Sequence, residues 1–280
     1  MSRVGSASVI VLVAIALFVV VGPQLWTIAP EATDPAHVLA PTSSAHPLGT
    51  DELGRDVLSR LAHGGQVTLL VGVAAMLAAL VLGVIIGGLA GFYGGWADTL
   101  LMRFTDAMLA VPSFFLILVV ITVIGSGPLP LILVIGGLSW MPVARVVYGE
   151  TLRWKQADFV LAAESLGVAP LRVLARHILP QAAPSLVVSA TLGVAYAILT
   201  ESAVSYLGLG VQPPMPSWGN MLQRAQQYVF TAPVLAIYPG LAITVLVLAF
   251  NFLGDGLRDR FDPRARTGRS RPATTRGRAR

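Results

Sequence analysis

The chain contains 280 residues, of which 55% are hydrophobic and 12% are charged, and it has a formal net charge of +5 and no cysteine. Soluble domains carry roughly twice that fraction of charged residues, and a chain of this size could not bury so much apolar surface in water. A soluble protein is therefore excluded, and the lack of cysteine excludes disulfides, thiolate metal sites and cysteine nucleophiles.

Charged residues are missing from most of the chain in long stretches. Four stretches without Asp, Glu, Lys or Arg lie between Arg3 and Glu31, Arg60 and Asp98, Asp106 and Arg145, and Arg224 and Asp255. A fifth, from Arg176 to Arg224, holds a single charge at Glu201. A bilayer core about 30 Å thick is crossed by about 20 apolar helical residues. We therefore predict an all-α integral membrane protein with six transmembrane helices.

The first predicted span covers residues 7–28. A cleaved signal peptide is the alternative, since Arg3 precedes the apolar run. The run is longer than a typical signal core, so we favour an uncleaved anchor. Residues 29–65 are predicted to form a polar loop, in which Thr50 caps a short surface helix with Asp51 and Glu52 in its first turn.

The second predicted span, residues 68–93, is rich in small side chains. Gly83, Gly87 and Gly91 recur every four residues, which lets helix backbones approach closely in lipid. We favour helix packing within this chain over dimerisation. The remaining predicted spans cover residues 104–124, 131–148, 184–207 and 233–253.

The basic residues predict the orientation. With six spans, one side of the membrane receives sixteen of the nineteen Lys and Arg residues, nine of them after Gly256. Basic residues favour the cytoplasmic side. Both termini and residues 149–183 are therefore expected in the cytoplasm, with residues 29–65 and 208–232 outside. A basic tail beside a span is typical of this side and does not indicate a nucleic-acid partner.

The polar segment 149–183 has its own helical pattern. A helix over residues 154–166 would end at Gly167, and Pro170 would begin a second helix that Pro180 and Pro184 close. That second helix exposes apolar and basic groups together: Leu171, Val173 and Leu174 with Arg172 and Arg176. It fits a helix lying on lipid headgroups and a docking element for a cytoplasmic partner equally well.

Residues of this segment resemble a known family. Ala162-Ala163, Gly167 and His177-Ile178-Leu179-Pro180 are similar to the signature loop of permease subunits of binding-protein-dependent ABC importers. The family's loop usually opens with Glu, where Leu161 stands here. The resemblance implies a type I ABC importer permease fold whose coupling helix docks on the ATPase. It assigns coupling to ten residues: Ala162, Ala163, Gly167, Val168, Pro170, Leu171, Leu174, His177, Leu179 and Pro180.

Further motifs narrow the resemblance to one subfamily. The sequences are HPLGTDELGRD at residues 46–56, YLGLGVQPP at 206–214, SWGNM at 217–221 and NFLGDGLRD at 251–259. They resemble the second permease subunit of dipeptide, oligopeptide and nickel importers. Together with the spans and the basic residues, it divides the chain into an anchor and loop (1–65), a permease core (66–256) with a coupling loop (150–183), and a basic cytoplasmic tail (257–280) that is expected to be disordered.

The resemblance also implies the partners and the transport mechanism. A homologous permease subunit completes a heterodimer in the lipid of the inner membrane, two ATPase subunits dock below, and an extracytoplasmic binding protein delivers di- or oligopeptides. The only lysine, Lys155, is followed by Gln156, so the chain has no phosphate-binding loop. ATP and magnesium are expected on the ATPases, and the chain is expected to be no enzyme and to bind no cofactor.

Several alternatives stay open. The substrate could be nickel, glutathione or haem, or the chain could be a structural subunit. A third alternative is an ion-coupled secondary transporter, which usually places several polar or charged groups at broken helices near the middle of the membrane. In this chain only Glu201 is such a group.

The polar residues that remain form three groups. Glu201 lines the translocation path or makes an interhelical hydrogen bond. Arg103 and Asp106 are expected to pair on one helix face. A third group shows no metal-site spacing and is expected to belong to a capped surface helix: His46, Asp51, Glu52, Asp56 and His63.

Overall fold

The structure, a computed structural model, describes residues 3–261, and this part of the chain is helical without a strand. The first six α-helices are α1 (Arg3–Leu25), α2 (Val57–Tyr93), α3 (Gly95–Leu109), α4 (Ser113–Ile124), α5 (Pro128–Gly137) and α6 (Trp140–Lys155). The others are α7 (Asp158–Ser165), α8 (Pro170–Val173), α9 (Leu179–Tyr206), α10 (Trp218–Ala225) and α11 (Val234–Phe261).

Four helical stretches are long and apolar enough to cross a membrane: Gly5–Leu25, Val57–Tyr93, Pro170–Tyr206 and Val234–Phe261. Two bent pairs of helices raise this to six if each pair is one span, so the prediction of six spans is compatible with the fold.

The third and fourth predicted spans are not single straight helices. The axes of α3 and α4 differ by 88°, and those of α5 and α6 differ by 40°. Each break lies beside a proline, Pro112 before α4 and Pro142 in the first turn of α6. A proline ring clashes with the carbonyl four residues earlier and ends the helix there. Apolar run length predicted the spans but not these bends.

The second helix begins at Val57, eleven residues before the predicted start of the span. The Asp56 carboxylate accepts a hydrogen bond from the backbone N–H of Ser59 at 2.7 Å and caps α2. The predicted helix capped by Thr50 is wrong. The Thr50 hydroxyl instead accepts from the backbone N–H of Ala40 at 2.8 Å, within a compact loop.

Small residues of α2 allow its close contact with α6. A Cβ added at Gly83 would lie 2.6 Å from Cβ of Val143, and one at Gly91 would lie 2.8 Å from Cβ of Thr151. A Cβ at Gly87 would overlap the backbone of Ala144. The predicted helix packing within the chain is confirmed.

The long helix α2 is central to the bundle. It packs against α5, α6 and α9, while α11 packs against both α9 and α1. The short helix α10 is anchored by Trp218, whose buried indole N–H donates to the backbone oxygen of Leu61 at 2.8 Å. Helix α11 continues to Phe261, so the first five residues of the predicted tail are helical. The disorder predicted for residues 262–280 lies outside the described residues.

Candidate coupling segment and translocation groove

The candidate coupling segment, residues 156–178 between α6 and α9, contains two short helices, α7 and α8. The single helix predicted over residues 154–166 is wrong, because α6 ends at Lys155 and α7 begins at Asp158. The Lys155 ammonium donates to the backbone oxygen of Phe92 and ties this turn to the end of α2. The predicted end at Gly167 is confirmed: its φ is +78°, and its N–H bonds to the oxygen of Glu164 at 2.9 Å.

Helix α8 begins at Pro170 as predicted, but it does not close at the later prolines. A π-helical turn, Leu174–Ile178, joins α8 to α9. Pro180 lies in the first turn of α9, and Pro184 lies inside that helix. Because α8, this turn and α9 follow one another without a break, Pro180 lies within a continuous helix, and the wider π-helical turn directly before it makes room for its ring. The coupling segment is therefore continuous with a membrane-spanning helix.

One face of the coupling segment is buried against the bundle. Ala163, Val173, Leu174 and Ile178 form an apolar cluster with Phe92 and Val160. Leu174 lies 3.6 Å from the Cβ position of Gly88 on α2. These contacts hold the segment on the end of α2, so Leu174 has a packing role, and its predicted role in coupling stays a prediction.

The other face of the coupling segment is exposed. Leu166 is 84% exposed and Leu171 is 59% exposed, with Leu161 beside them at 48%. Arg172 and Arg176 are also exposed, together with Ala162, Gly167, Pro170 and Pro180. Val168, His177 and Leu179 are half-buried. Exposed leucines between basic groups are typical of a surface that contacts a protein partner or a membrane, so both interpretations of this face stay open.

A groove runs along α6 and α9. Its outer part, so named from the predicted orientation of the chain, is a cavity of about 560 Å³ at the two helix breaks, lined by Pro112, Ser113, Leu138 and Ser139 among others. Its inner part is a cavity of about 650 Å³ between α6, α9 and the end of α11. Val146 and Ser189 line both cavities. The two cavities therefore adjoin at these residues and are together called the groove, which sequence reasoning did not find.

The outer cavity is mainly apolar. Three methionines line it, Met76, Met108 and Met141. Its polar groups include the Ser113 and Tyr196 hydroxyls, which lie 3.0 Å apart. The buried Ser139 hydroxyl has no hydrogen-bond partner in the described residues. Flexible, polarizable methionines adapt to varied shapes, so this cavity is suited to more than one ligand.

The inner cavity contains charged groups. The Glu150 carboxylate accepts from the Ser185 hydroxyl at 2.6 Å and from the Trp154 indole N–H at 3.1 Å. Arg153 and Arg258 line the same cavity and are exposed. The groove thus passes from an apolar region to an acid flanked by two bases.

The buried acid Glu201 lies away from this groove. Its side chain is fully buried, accepting from Ser205 Oγ at 2.8 Å, with Ser202 Oγ at 3.4 Å. The hydroxyls of Thr68 and Ser217 also face the carboxyl group, so it joins α2, α9 and the start of α10. This geometry favours the interhelical role; the translocation-path role stays a prediction.

The acidic and basic residues before α2 form an ion-pair network. Asp51 pairs with Arg55 at 2.7 Å and with Arg60 at 3.3 Å, and Arg55 also pairs with Glu52 at 2.7 Å. Asp51 and Arg55 are buried, so the predicted exposed helix is wrong here.

Two histidines of the same loop pair with aspartates. His46 Nδ1 lies 2.8 Å from Asp56 Oδ2. The hydrogen bond between His37 and Asp34 lowers the pKa of Asp34 below its ordinary value. His46 and Asp56 therefore belong to loop and cap structure, and the described residues contain no cluster of three metal-ligating side chains.

The predicted pair of Arg103 with Asp106 is also wrong. Asp106 on α3 pairs with Arg145 on α6. The sequence spacing allowed a pair within one helix, but the packing of two helices supplied another arginine.

The helical bundle, its groove and its exposed segment define a membrane permease subunit. The model of the family described as binding-protein-dependent transport system inner membrane component matches residues 56–267. The chain belongs to this family, whose members are permease subunits of ABC importers.

The relatives of the chain agree with this family. It is 43% identical over 225 residues to the glutathione transport system permease protein GsiD of Pectobacterium atrosepticum, covering 80% of this chain and 75% of that protein. It is 35% identical over 266 residues to the dipeptide transport system permease protein DppC of Alkalihalophilus pseudofirmus, covering 95% and 88%. It is 38% identical over 267 residues to the oligopeptide transport system permease protein OppC of Haemophilus influenzae, covering 95% and 86%.

Proposed function

We propose that this chain is one of two permease subunits of an ATP-driven importer of di- and oligopeptides. The similar proteins are named for dipeptide, oligopeptide and glutathione transport, and all three substrates are short peptides or peptide-like. The groove along α6 and α9 supports the proposal, because a cavity of about 560 Å³ has the size of a small-molecule site. A homologous permease subunit closes the open side of the groove.

The exposed coupling segment carries the mechanistic part of the proposal. Two ATPase subunits, which bind ATP and magnesium, dock on Leu161, Leu166 and Leu171 from the cytoplasm. The segment continues into α9 through the turn Leu174–Ile178, so movement of the ATPases is passed to a helix that lines the groove. ATP stabilises the closed ATPase pair, and this differential affinity drives alternating access. An extracytoplasmic binding protein delivers the peptide.

The function is tested by transport in proteoliposomes. The chain is reconstituted with its partner permease, both ATPases and the binding protein, and uptake of a labelled dipeptide is measured. We expect uptake to require both ATP and the binding protein. A complex that hydrolyses ATP but takes up no peptide would contradict the peptide substrate. Uptake that follows an ion gradient without ATP would indicate a secondary transporter instead.

The groove is tested by cysteine accessibility, because the chain has no cysteine of its own. Val146 lines both cavities, whereas its neighbour Val147 is fully buried. A small water-soluble thiol reagent should modify Val146→Cys and leave Val147→Cys unmodified. Equal protection of both positions in the assembled complex would show that no hydrated path follows α6.

A further inference from the structure

We infer that Glu150 binds the N-terminal ammonium group of the transported peptide at the inner end of the groove, with Arg153 and Arg258 placed for its C-terminal carboxylate. This inference rests on the proposed function and specifies how the path recognises its substrate class. The three residues lie on two helices, α6 and α11, and line one cavity of about 650 Å³.

The Glu150 carboxylate is fixed in position before any ligand arrives. Its side chain is 18% exposed, and the Ser185 hydroxyl and the Trp154 indole N–H donate to different carboxylate oxygens at 2.6 and 3.1 Å. Each oxygen has a further lone pair, so the group can still accept from an ammonium. A pre-oriented charged acceptor loses little entropy on binding.

The basic groups of the cavity can turn to an anion. Arg153 makes a long ion pair with Glu150, with 3.8 Å from Nη1 to Oε2, and lies over the Trp154 ring, but its side chain is 69% exposed, so its other guanidinium N–H groups are available. Arg258 is exposed at the end of α11 and makes no ion pair within the described residues. A guanidinium binds a carboxylate through two parallel hydrogen bonds.

This arrangement suits a peptide better than an anionic lipid headgroup. A fixed carboxylate repels a phosphate, whereas a peptide of any sequence carries one ammonium and one carboxylate. The adjoining outer cavity is apolar and rich in methionine, so it accepts side chains of different shape. The charged end of the groove would therefore bind the two termini of the peptide, and the apolar part would accept peptide side chains of any sequence.

The test uses binding to the permease without the binding protein. Ser189→Cys is introduced as a reporter in both cavities, and the chain is assembled with its partner permease and ATPases without nucleotide. Modification of this chain by a water-soluble thiol reagent is followed by mass spectrometry. Dialanine at about ten times its dissociation constant should slow modification by about tenfold. N-acetyl-dialanine lacks the ammonium, so its dissociation constant should be at least about tenfold higher, as expected for loss of a charge-assisted hydrogen bond, and it should give little protection at the same concentration.

Two substitutions separate charge from structure at Glu150. Glu150→Gln keeps the shape and one acceptor oxygen, so the Ser185 hydrogen bond persists, but protection by dialanine should be lost. Glu150→Asp keeps the charge and shortens the reach to Ser185, and protection should be retained. Glu31→Gln, on an exposed residue of the loop before α2, is the matched control and should behave as the unaltered chain.

Each opposite result overturns the inference. Equal protection by both peptides, no protection by either, or protection that survives Glu150→Gln shows that Glu150 does not bind the ammonium. Loss with Glu150→Asp but not with Glu150→Gln assigns Glu150 a structural role. ATP-dependent dipeptide uptake by the unaltered complex is measured in parallel, so failure of the proposed function is seen separately.

Discussion

At the scale of single residues, burial of Glu201 in a membrane helix requires hydrogen-bond partners rather than a counter-ion. A charged group inside a span is costly unless it is paired or hydrated. Serine hydroxyls from its own helix meet the carboxyl group, and hydroxyls of α2 and the start of α10 face it. Ser205 Oγ in turn accepts from the backbone N–H of Val211 at 3.1 Å. The side chain thus joins the helix to the loop that follows it.

Substitution of Glu201 distinguishes this structural role from a role in the path. Glu201→Gln should keep the acceptor for Ser205, and both stability and transport should stay near those of the unaltered chain. Glu201→Leu should strand the Ser205 hydroxyl and cost about 1–3 kcal/mol. Thermal unfolding and peptide uptake are measured on the same purified complexes. Lost uptake by Glu201→Gln at unchanged stability would instead place Glu201 on the path.

The ion pairs before α2 differ from Glu201 because their charges compensate one another. Arg55→Ala should leave Glu52 without its 2.7 Å partner and Asp51 with only Arg60. Breaking a buried pair costs about 3–5 kcal/mol, and we expect the lower end of this range because Arg60 remains. The matched control is His37→Ala, in an exposed pair, and it should leave the unfolding midpoint unchanged. An equal effect of both substitutions would contradict the network's structural role.

At the scale of elements, the coupling segment divides its leucines between two tasks. Leu174 is buried against α2, whereas Leu171, three residues earlier, is exposed. The break at Gly167 and the continuity into α9 hold the exposed face outward. Burial therefore predicts which leucine affects folding and which affects docking.

Substitutions at the two leucines test this division. Leu171→Glu should leave the fold intact and weaken ATPase association, because it places a charge in an apolar contact. Leu174→Glu should lower the unfolding midpoint, since it buries an unpaired charge. ATPase copurification and thermal unfolding are compared for both variants. Phe230→Glu, at a fully exposed apolar site distant in sequence, controls for added charge. ATPase binding that survives Leu171→Glu would place the docking surface elsewhere.

At the scale of the whole molecule, the position of the charged end of the groove can be related to the predicted orientation of the chain in the membrane. The groove's charged end lies beside Arg153 and Arg258, near the coupling segment and the end of α11. Basic residues concentrate on the cytoplasmic side of membrane proteins. The proposed orientation therefore opens the charged end of the groove toward the cytoplasm.

The orientation is testable with an impermeant thiol reagent on intact cells or spheroplasts. Ser44 and Ala169 are both exposed, so in a chain expressed without its ATPase subunits the reactivity of a cysteine at either position reports its side of the membrane. Ser44→Cys should react from outside, and Ala169→Cys should react only after permeabilisation. The reverse pattern would refute both the orientation and cytoplasmic docking.

The sequence by itself determined the class of fold and the family. Charge-free stretches of span length require helices in lipid, because a spanning segment must satisfy its backbone groups internally. Turn chemistry was also local enough to predict: Gly167 ends α7 and Pro170 begins α8. The spacing of glycines in α2 was enough to predict close packing, since the property lies in the absence of side chains.

Only the tertiary structure decided which surfaces face each other. The partner of Asp106, the burial of Leu174 with exposure of Leu171, and the groove between α6 and α9 all depend on helices distant in sequence. The helix breaks that line the groove were hidden inside apolar runs, because hydropathy measures composition and not direction. A groove is space between elements, so no local residue pattern encodes it.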